Sequence, residues 1–554
     1  MSRTQSFKRF ALVSSFTLAG AATAFAVDLQ VTGLSPQRHT GSALINTAIS
    51  ITFDRAVNPA SINNNTFRVF GVETGPVAGS FSFSNGNATV TFTPSRRLFW
   101  GDVISVTLAR SIAAADATGT LRNAGYQYQF MTHVKPSLGT FTEVQEWSVD
   151  QPGQFNRIYG GQAADANNDG WVDVTLVCEN SNDLRFYENR ADGSGLFEPL
   201  QGRISPMGPV PSPNVASDFN NDGLLDIATG NFGGDISIGF GNGAGLFGNR
   251  VDISAGSARG IAAYDADGDG DYDLACSVPG DNKIFLMLNN GSGGFSAPTL
   301  IEGGSNGEYG LCAADMNNDG IMDLVVGHEA GQTIQVLRGN GGASYTGTGL
   351  RNAGGGCWVI VCGDVNGDGN IDVNSANSGA GNASILLGNG DGTLQNRVTY
   401  SSSAHTPATD LADIDGDGDL DMLISSFGAG LWRLYRNNGA GAFTFVQDFP
   451  AASNPACAIF LDADRDGDMD MIQLDEIADF ATLFHNNNRV VVGDMNCDGF
   501  VTVGDIAAFV IALTTPEDFL INFPSCEIEN ADTNGDGFVT VGDIAGFVSL
   551  LTGG

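Results

Sequence analysis

The chain has 554 residues, with 62 acidic and 25 basic side chains, a formal net charge of −37 and 42% hydrophobic residues. That length calls for several packed domains, and that acidity argues against nucleic acid or an anionic membrane surface as partner. Eight cysteines in such a length do not make a disulfide scaffold, and no C-x-x-C pair offers a zinc site. The 75 glycines follow no collagen-like period and punctuate short apolar runs, as in an all-β chain with tight loops. The first 26 residues differ from the rest. Arg3, Lys8 and Arg9 precede an apolar stretch that ends in Ala24-Phe25-Ala26. This reads as a secretory signal peptide cleaved near Ala26-Val27, which places the mature protein outside the cytoplasm, secreted or at the cell surface. No later segment approaches a transmembrane run.

Residues 27–136 form the next unit. "ISITFDRAVN", "FSFSNGNATVTFTP" and "VISVTLARSI" alternate apolar and polar residues, with Asn85-Gly86-Asn87 as a hairpin turn. The expected fold is a small β-sandwich. "VTGLSP" and "ITFDRAVNPASI" resemble the bacterial Ig-like domain of surface proteins, which implies a spacer or presentation role.

Over residues 137–488 one pattern, D-x-[DN]-x-D-G-x-x-D, returns seven times, starting at Asp165, Asp218, Asp265, Asp315, Asp364, Asp413 and Asp462. An apolar strand follows each loop, and a second strand then ends in a Gly/Asn turn, so one unit is about four short strands. Such a small sheet cannot bury both faces alone, whereas stacking the units radially does. "GTFTEVQEWS" (139–148) looks like the outer strand missing after "ATLFHNNNR" at the other end. Seven loops and this complementation predict a seven-bladed β-propeller in a mainly β protein.

A tight loop with oxygens at positions 1, 3, 5 and 9, and a backbone carbonyl at position 7, can wrap a hard cation. The first loop offers Asp165, Asn167, Asp169, the Trp171 carbonyl and Asp173; the second Asp218, Asn220, Asp222, the Leu224 carbonyl and Asp226. The third offers Asp265, Asp267, Asp269, the carbonyl of Asp271 and Asp273; the fourth Asp315, Asn317, Asp319, the Ile321 carbonyl and Asp323. The fifth offers Asp364, Asn366, Asp368, the Asn370 carbonyl and Asp372; the sixth Asp413, Asp415, Asp417, the carbonyl of Asp419 and Asp421. The seventh offers Asp462, Asp464, Asp466, the carbonyl of Asp468 and Asp470. The side chain of Asp271 is expected to point outward. All-oxygen ligands suit Ca²⁺ better than zinc or copper. The repeats resemble the FG-GAP/VCBS family, the calcium-loop propellers of integrin α-subunits and many bacterial secreted proteins. The family includes adhesion modules, lectins and a few enzymes.

Residues 489–554 carry two twelve-residue loops, "DMNCDGFVTVGD" and "DTNGDGFVTVGD", each entering an apolar helical run. Their oxygens are Asp494, Asn496, Asp498 and Asp505, then Asp532, Asn534, Asp536 and Asp543. This is the EF-hand arrangement with Asp at position 12. The duplication resembles a type I dockerin, implying a small helical module, two further calcium ions and a cohesin-like or other surface anchor as partner. The usual polar pair at loop positions 10 and 11 is replaced by Val503-Gly504 and Val541-Gly542, which puts cohesin attachment in doubt. Cys497 and Cys526, both in this module, are the best disulfide candidates. Cys178, Cys276, Cys312 and Cys362 lie in strand-like runs and read as buried small residues.

Catalytic patterns are missing from the sequence. The histidines, His39, His133, His328, His405 and His485, have no metal or triad spacing. Glu179, Glu329 and Glu476 fall just past a repeat strand, where they either rim the propeller or are solvated loop residues. Trp358 and Trp432 either stack a sugar or pack in strands. The leading expectation is a calcium-binding, non-catalytic adhesion protein whose propeller presents a glycan- or protein-binding face. The face is expected on "RISPMGPVPSPN", "IEGGSNGEYG", "RNAGGGCWV" and "SSSAHTPATD". The rivals are an extracellular polysaccharide-degrading enzyme, or its dockerin-borne accessory subunit, and a purely structural envelope protein.

Overall fold

The computed structural model describes residues 28–554 except 123, 152, 302–306, 489–491, 499, 524–525, 527, 535–537 and 553–554. The segment read as a signal peptide, and Asp536 of the last loop, lie outside the described residues.

Residues 31–131 make two four-stranded antiparallel sheets. One holds Val31–Ser35, Ile49–Phe53, Thr89–Pro94 and Gly79–Ser84; the other holds Gly75–Val77, Phe67–Gly71, Val103–Leu108 and Tyr126–Met131. Period-2 alternation turns Ile49, Ile51 and Phe53 inward, where they join Phe67, Phe92, Tyr128 and Phe130 in one core. Asn85, Gly86 and Asn87 all take positive φ at the hairpin between Gly79–Ser84 and Thr89–Pro94.

The chain from Ser137 to Asn488 makes seven further four-stranded sheets, six of them with strands in sequence order, one of those six with an extra short strand. Their first strands are Ile158–Ala164, Pro211–Ser217, Gly260–Tyr264, Glu308–Ala314, Gly356–Gly363, Thr409–Ala412 and Pro455–Leu461. Each lies against the first strand of the next sheet, and the seventh lies against the first. Neighbouring sheets therefore cover both faces of each second strand. Asp173–Cys178, Asp226–Asn231, Asp273–Val278, Asp323–His328, Asp421–Ser426 and Asp470–Asp475 are buried at every residue. The seventh sheet is completed from the other end of the repeat region: Ser137–Ser148 pairs antiparallel with Phe480–Asn488 as its outer strand. Trp147 on that strand meets Tyr187 and Phe197 of the first sheet, at ring-centroid distances of 5.6 and 5.7 Å. Cys178 and Cys276 are buried as expected, but Cys312 and Cys362 are only half-buried. Both sit on first strands, and Cys362 lines a cavity of ≈ 360 Å³ that lies between the first strands and the Ig-like sheets.

The C-terminal region contains the helices Ile506–Thr514, Pro516–Asn522 and Ile544–Thr552. Its core stacks Phe509 on Phe547 at 3.9 Å, and a disulfide joins Cys497 to Cys526. Among the described residues no helix is long and apolar enough to cross a membrane.

Trp147→Ala is expected to lower stability by about 3 kcal/mol, the lower end of the range for truncating a packed Trp. Val144→Ala, on an exposed part of the same strand, should change it by less than about 0.5 kcal/mol. Urea titration followed by fluorescence and circular dichroism checks both.

Candidate functional site

Each acidic loop joins the end of a first strand to the start of a second, so the seven loops lie at one end of the seven sheets. The position-1 carboxylate folds the loop back on itself. In the first loop the Asp169 N–H donates to Asp165 Oδ1 (3.0 Å) and the Gly170 N–H to Oδ2 (3.2 Å). The second and fourth loops repeat both bonds through Asp218 and Asp315. The position-9 carboxylate ties the loop to the end of the third strand. The backbone N–H groups of Asn189, Gly241, Asn289, Gly339, Gly388, Asn437 and Asn486 donate to Asp173, Asp226, Asp273, Asp323, Asp372, Asp421 and Asp470. Positions 1, 3 and 5 converge: one oxygen each from Asp265, Asp267 and Asp269 lie within 4.8 Å of one another, as do those of Asp413, Asp415 and Asp417, and of Asp462, Asp464 and Asp466.

These acidic clusters can hold a metal ion. Buried oxygens of Asp173, Asp413, Asp415, Asp462 and Asp468 have no hydrogen-bond partner among the described residues, the condition a hard cation relieves. Burial pushes Asp226, Asp265 and Asp323 up to about 8, Asp273 to about 9 and Asp468 to about 10. Sequence spacing missed His485, whose ring nitrogen joins Asp464 and Asp470 in a further group.

The Ig-like domain covers this acidic end. Arg96 pairs with Asp165 (2.7 Å), Arg68 with Asp271 (2.7 Å) and Arg38 with Asp315 (3.4 Å). Arg110 donates to the Asp267 carbonyl (2.7 Å), Arg122 to that of Asp319 and Lys135 to that of Asp466 (2.6 Å). Six of the eight basic residues between 27 and 136 thus reach the loops. Asp271 points outward, to Arg68. Two loop glycines are pressed against the domain: a Cβ on Gly268 would stand 2.3 Å from the Ala124 carbonyl carbon, and one on Gly416 2.2 Å from the Lys135 carbonyl oxygen. Both also have positive φ, so a side chain is excluded twice. The domain is a docked cap where its resemblance implied a spacer.

Among the described residues the Ig-like domain leaves the opposite end open. There equivalent bonds tie the end of the second strand to the start of the first in five sheets: the N–H groups of Glu179, Phe232, Glu329, Phe427 and Glu476 donate to the carbonyls of Arg157, Val210, Gly307, His405 and Asn454. Glu179 and Glu476 are buried and both pair with Arg157, whereas Glu329 is exposed. Tyr309, Trp358 and His405, from three of the quoted loops, converge. Tyr309 stacks on Trp358 (5.2 Å, 7°), and the His405 ring meets Trp358 edgewise (4.8 Å, 88°). Trp432 is buried and packs with Phe449 and Leu434 in the sixth sheet.

In the C-terminal loops the position-12 carboxylates are buried at helix starts. Asp505 accepts the N–H groups of Met495, Asn496 and Thr502, and Asp543 those of Asn534 and Thr540. Val503 and Val541 are 79% and 77% exposed.

An FG-GAP-like repeat matches residues 165–229, 265–326, 364–424 and 413–472, and a bacterial Ig-like domain matches residues 26–132. These two suggest a binding or adhesion protein. No curated protein matches the chain. Among solved structures, BBS1N in complex with ARL6DN is 10% identical, with coverage of 62% of this chain and 97% of its own and a TM-score of 0.46. An Agrocybe aegerita lectin, described for specific recognition of non-reducing terminal N-acetylglucosamine, is 18% identical over 70% of this chain and 94% of its own, with a TM-score of 0.41. A functionally unknown protein from Desulfotomaculum acetoxidans is 12% identical over 63% and 96%, with a TM-score of 0.40.

Two outcomes are expected. A carboxyl with a higher pKa folded than unfolded binds more protons when folded, so metal-free stability should fall as pH rises from about 4 towards 9. A divalent cation on those oxygens removes the penalty. The gain in thermal midpoint from calcium over chelator should therefore be small near pH 5 and grow by several degrees towards pH 8; calorimetry giving a gain independent of pH would count against ions in the loops. Separately, Arg96→Ala leaves the buried Asp165 without its partner and should cost about 1–3 kcal/mol in chelator. The cost should shrink when calcium is added, as read by denaturant titration in both conditions.

Proposed function

We propose that the seven sheets are the blades of a closed seven-bladed β-propeller whose acidic loops hold calcium. The protein acts as a secreted, non-catalytic binding or adhesion protein at the cell surface. The domains are the Ig-like cap (27–136), the propeller (137–488) and a dockerin-like calcium module (489–554), after a signal peptide (1–26). The cyclic contact of the first strands supports closure. The observation that carries the function is the division of the ring's two ends. The Ig-like domain occupies the acidic end, and the open end collects aromatic, cationic and acidic side chains from separate sheets. Concave sites with a few convergent polar groups among aromatic rings are where ligands bind, and a glycan or a protein of the surface is the partner this face suits. In the C-terminal module the duplicated capping boxes and the Phe509–Phe547 stack support a paired EF-hand arrangement. Exposed Val503 and Val541 favour an apolar anchoring contact over a polar one.

One observation favours catalysis as a second reading. Glu179 and Glu476 are a buried acid pair at the open end, and burial raises the Glu179 pKa. Arg157 bonded to both supports a binding role for the pair instead.

A glycan array and a panel of polysaccharide substrates, probed with the mature protein in millimolar calcium and again with chelator, test both readings. Calcium-dependent binding without turnover is expected. Hydrolysis abolished by Glu179→Gln or Glu476→Gln would replace the binding reading with the enzymatic one.

A further inference from the structure

At the open end of the ring one cation, Arg259, stands apart from the ion pairs of the described residues. Arg259 makes no ion pair among the described residues, in a chain of net charge −37 in which Arg157 at this end, and Arg96, Arg68, Arg38 and Arg110 at the acidic loops, are held by carboxylates or carbonyls. Its guanidinium lies 3.7 Å from the centroid of the Phe232 ring, which is 49% exposed, and 5.8 Å from that of Tyr309. Among the described residues its one hydrogen bond, to Ser212 Oγ at 3.3 Å, uses one of its five donors. The aromatic faces fix the plane of the guanidinium without neutralising it, which leaves a planar fork available to a carboxylate.

The neighbours of Arg259 suit a sugar ring. Tyr309 and Trp358, on the next two first strands, stack so that each covers part of one face of the other; both are half-buried, and the ring surface left uncovered is the kind on which the apolar face of a pyranose packs. His405 closes the row and is held by Ser378 Oγ at 3.0 Å from its Nδ1. Arg157 takes a positive φ of 54°, a conformation that Gly307 supplies at the equivalent place in the fourth sheet. Val210 takes the same conformation at that place in the second sheet, and in the first sheet the residue there, Arg157, holds Glu179 and Glu476 with its side chain. Those carboxylates and Arg157 provide acceptors and donors for hydroxyl groups beside the aromatic row.

We infer that this end of the ring binds an acidic saccharide, with Arg259 taking the carboxylate of a uronic acid and Tyr309 and Trp358 the face of a sugar ring. The inference rests on the reading of the open end as the binding face and adds the ligand class. It also gives Arg259 a specificity role that Trp358 lacks: loss of Trp358 weakens any sugar, whereas loss of Arg259 weakens only charged ones.

The test uses the mature chain in millimolar calcium with cellobiouronic acid and cellobiose, two disaccharides that differ by one carboxylate, and reads affinity by titration calorimetry. The acid is expected to bind more tightly than the neutral sugar, with affinity falling as salt rises. Arg259→Ala should weaken the acid by about 10- to 100-fold, the range for a lost charge-assisted hydrogen bond, and leave cellobiose unchanged. Arg259→Lys, which keeps the charge but not the fork, should fall between. Trp358→Ala should weaken both sugars, and circular dichroism with calcium confirms that each variant is folded. Equal affinity for the two sugars, or acid binding untouched by Arg259→Ala, overturns the acidic-saccharide inference while the binding face stands. Binding of neither sugar by the folded wild type overturns the inference too. Protein partners that still bind in a manner sensitive to Trp358→Ala would then show that the face itself survives.

Discussion

Repulsion between carboxylates crowded into nine-residue loops is the constraint on which the rest of this structure depends. Each loop gathers three or more acidic side chains, and seven loops share one end of a ring. Backbone N–H groups satisfy part of each carboxylate, some oxygens meet arginines, and several buried oxygens have no partner among the described residues. Like charges at such spacing are tolerated only when something cationic completes the set. The protein supplies arginine and lysine from a separate domain, and the oxygens still unpartnered are of the kind hard cations take.

That constraint explains the docking of the Ig-like domain. A domain whose basic side chains face one way finds its complement on the most acidic surface of the chain, and loop glycines let its backbone approach closely. Arginine forks reaching a carbonyl and a carboxylate of the same loop give the contact its register. With one end of the ring covered in this way, the other end is the one left for the recognition proposed above. There the loops are not constrained by the acidic repeat and differ from sheet to sheet, so Tyr309, Trp358, His405 and Arg259 can accumulate without disturbing the strands that carry them.

Much of this was legible in the residues because the signals are local. A loop whose oxygens fall at positions 1, 3 and 5 brings them together by its own turn, so Asp265, Asp267 and Asp269 could be named before any fold was known. The outer strand at 139–148 was legible because its alternation matches that of the strand it replaces. The outward direction of Asp271 followed from its place in the loop, but its partner Arg68 did not, since nothing near either residue points to the other. His485 was missed for the same reason: it comes from the strand beyond its loop and meets Asp464 only through the pairing of the sheet. Cys312 and Cys362, in apolar runs, look like core residues, yet their strands line the centre of the ring and leave them half-buried.

By itself, then, the amino-acid sequence determined the repeat, the strands and the ligand-type residues of every acidic loop. These depend on spacings of two, four or nine residues, which a short piece of chain enforces alone. Only the tertiary structure decided which end of the sheets is covered and which stays open. It also decided that an arginine from one sheet stands beside a tyrosine from the next. Such neighbours are set by how whole sheets and a separate domain pack, over separations of fifty to several hundred residues that no local pattern records.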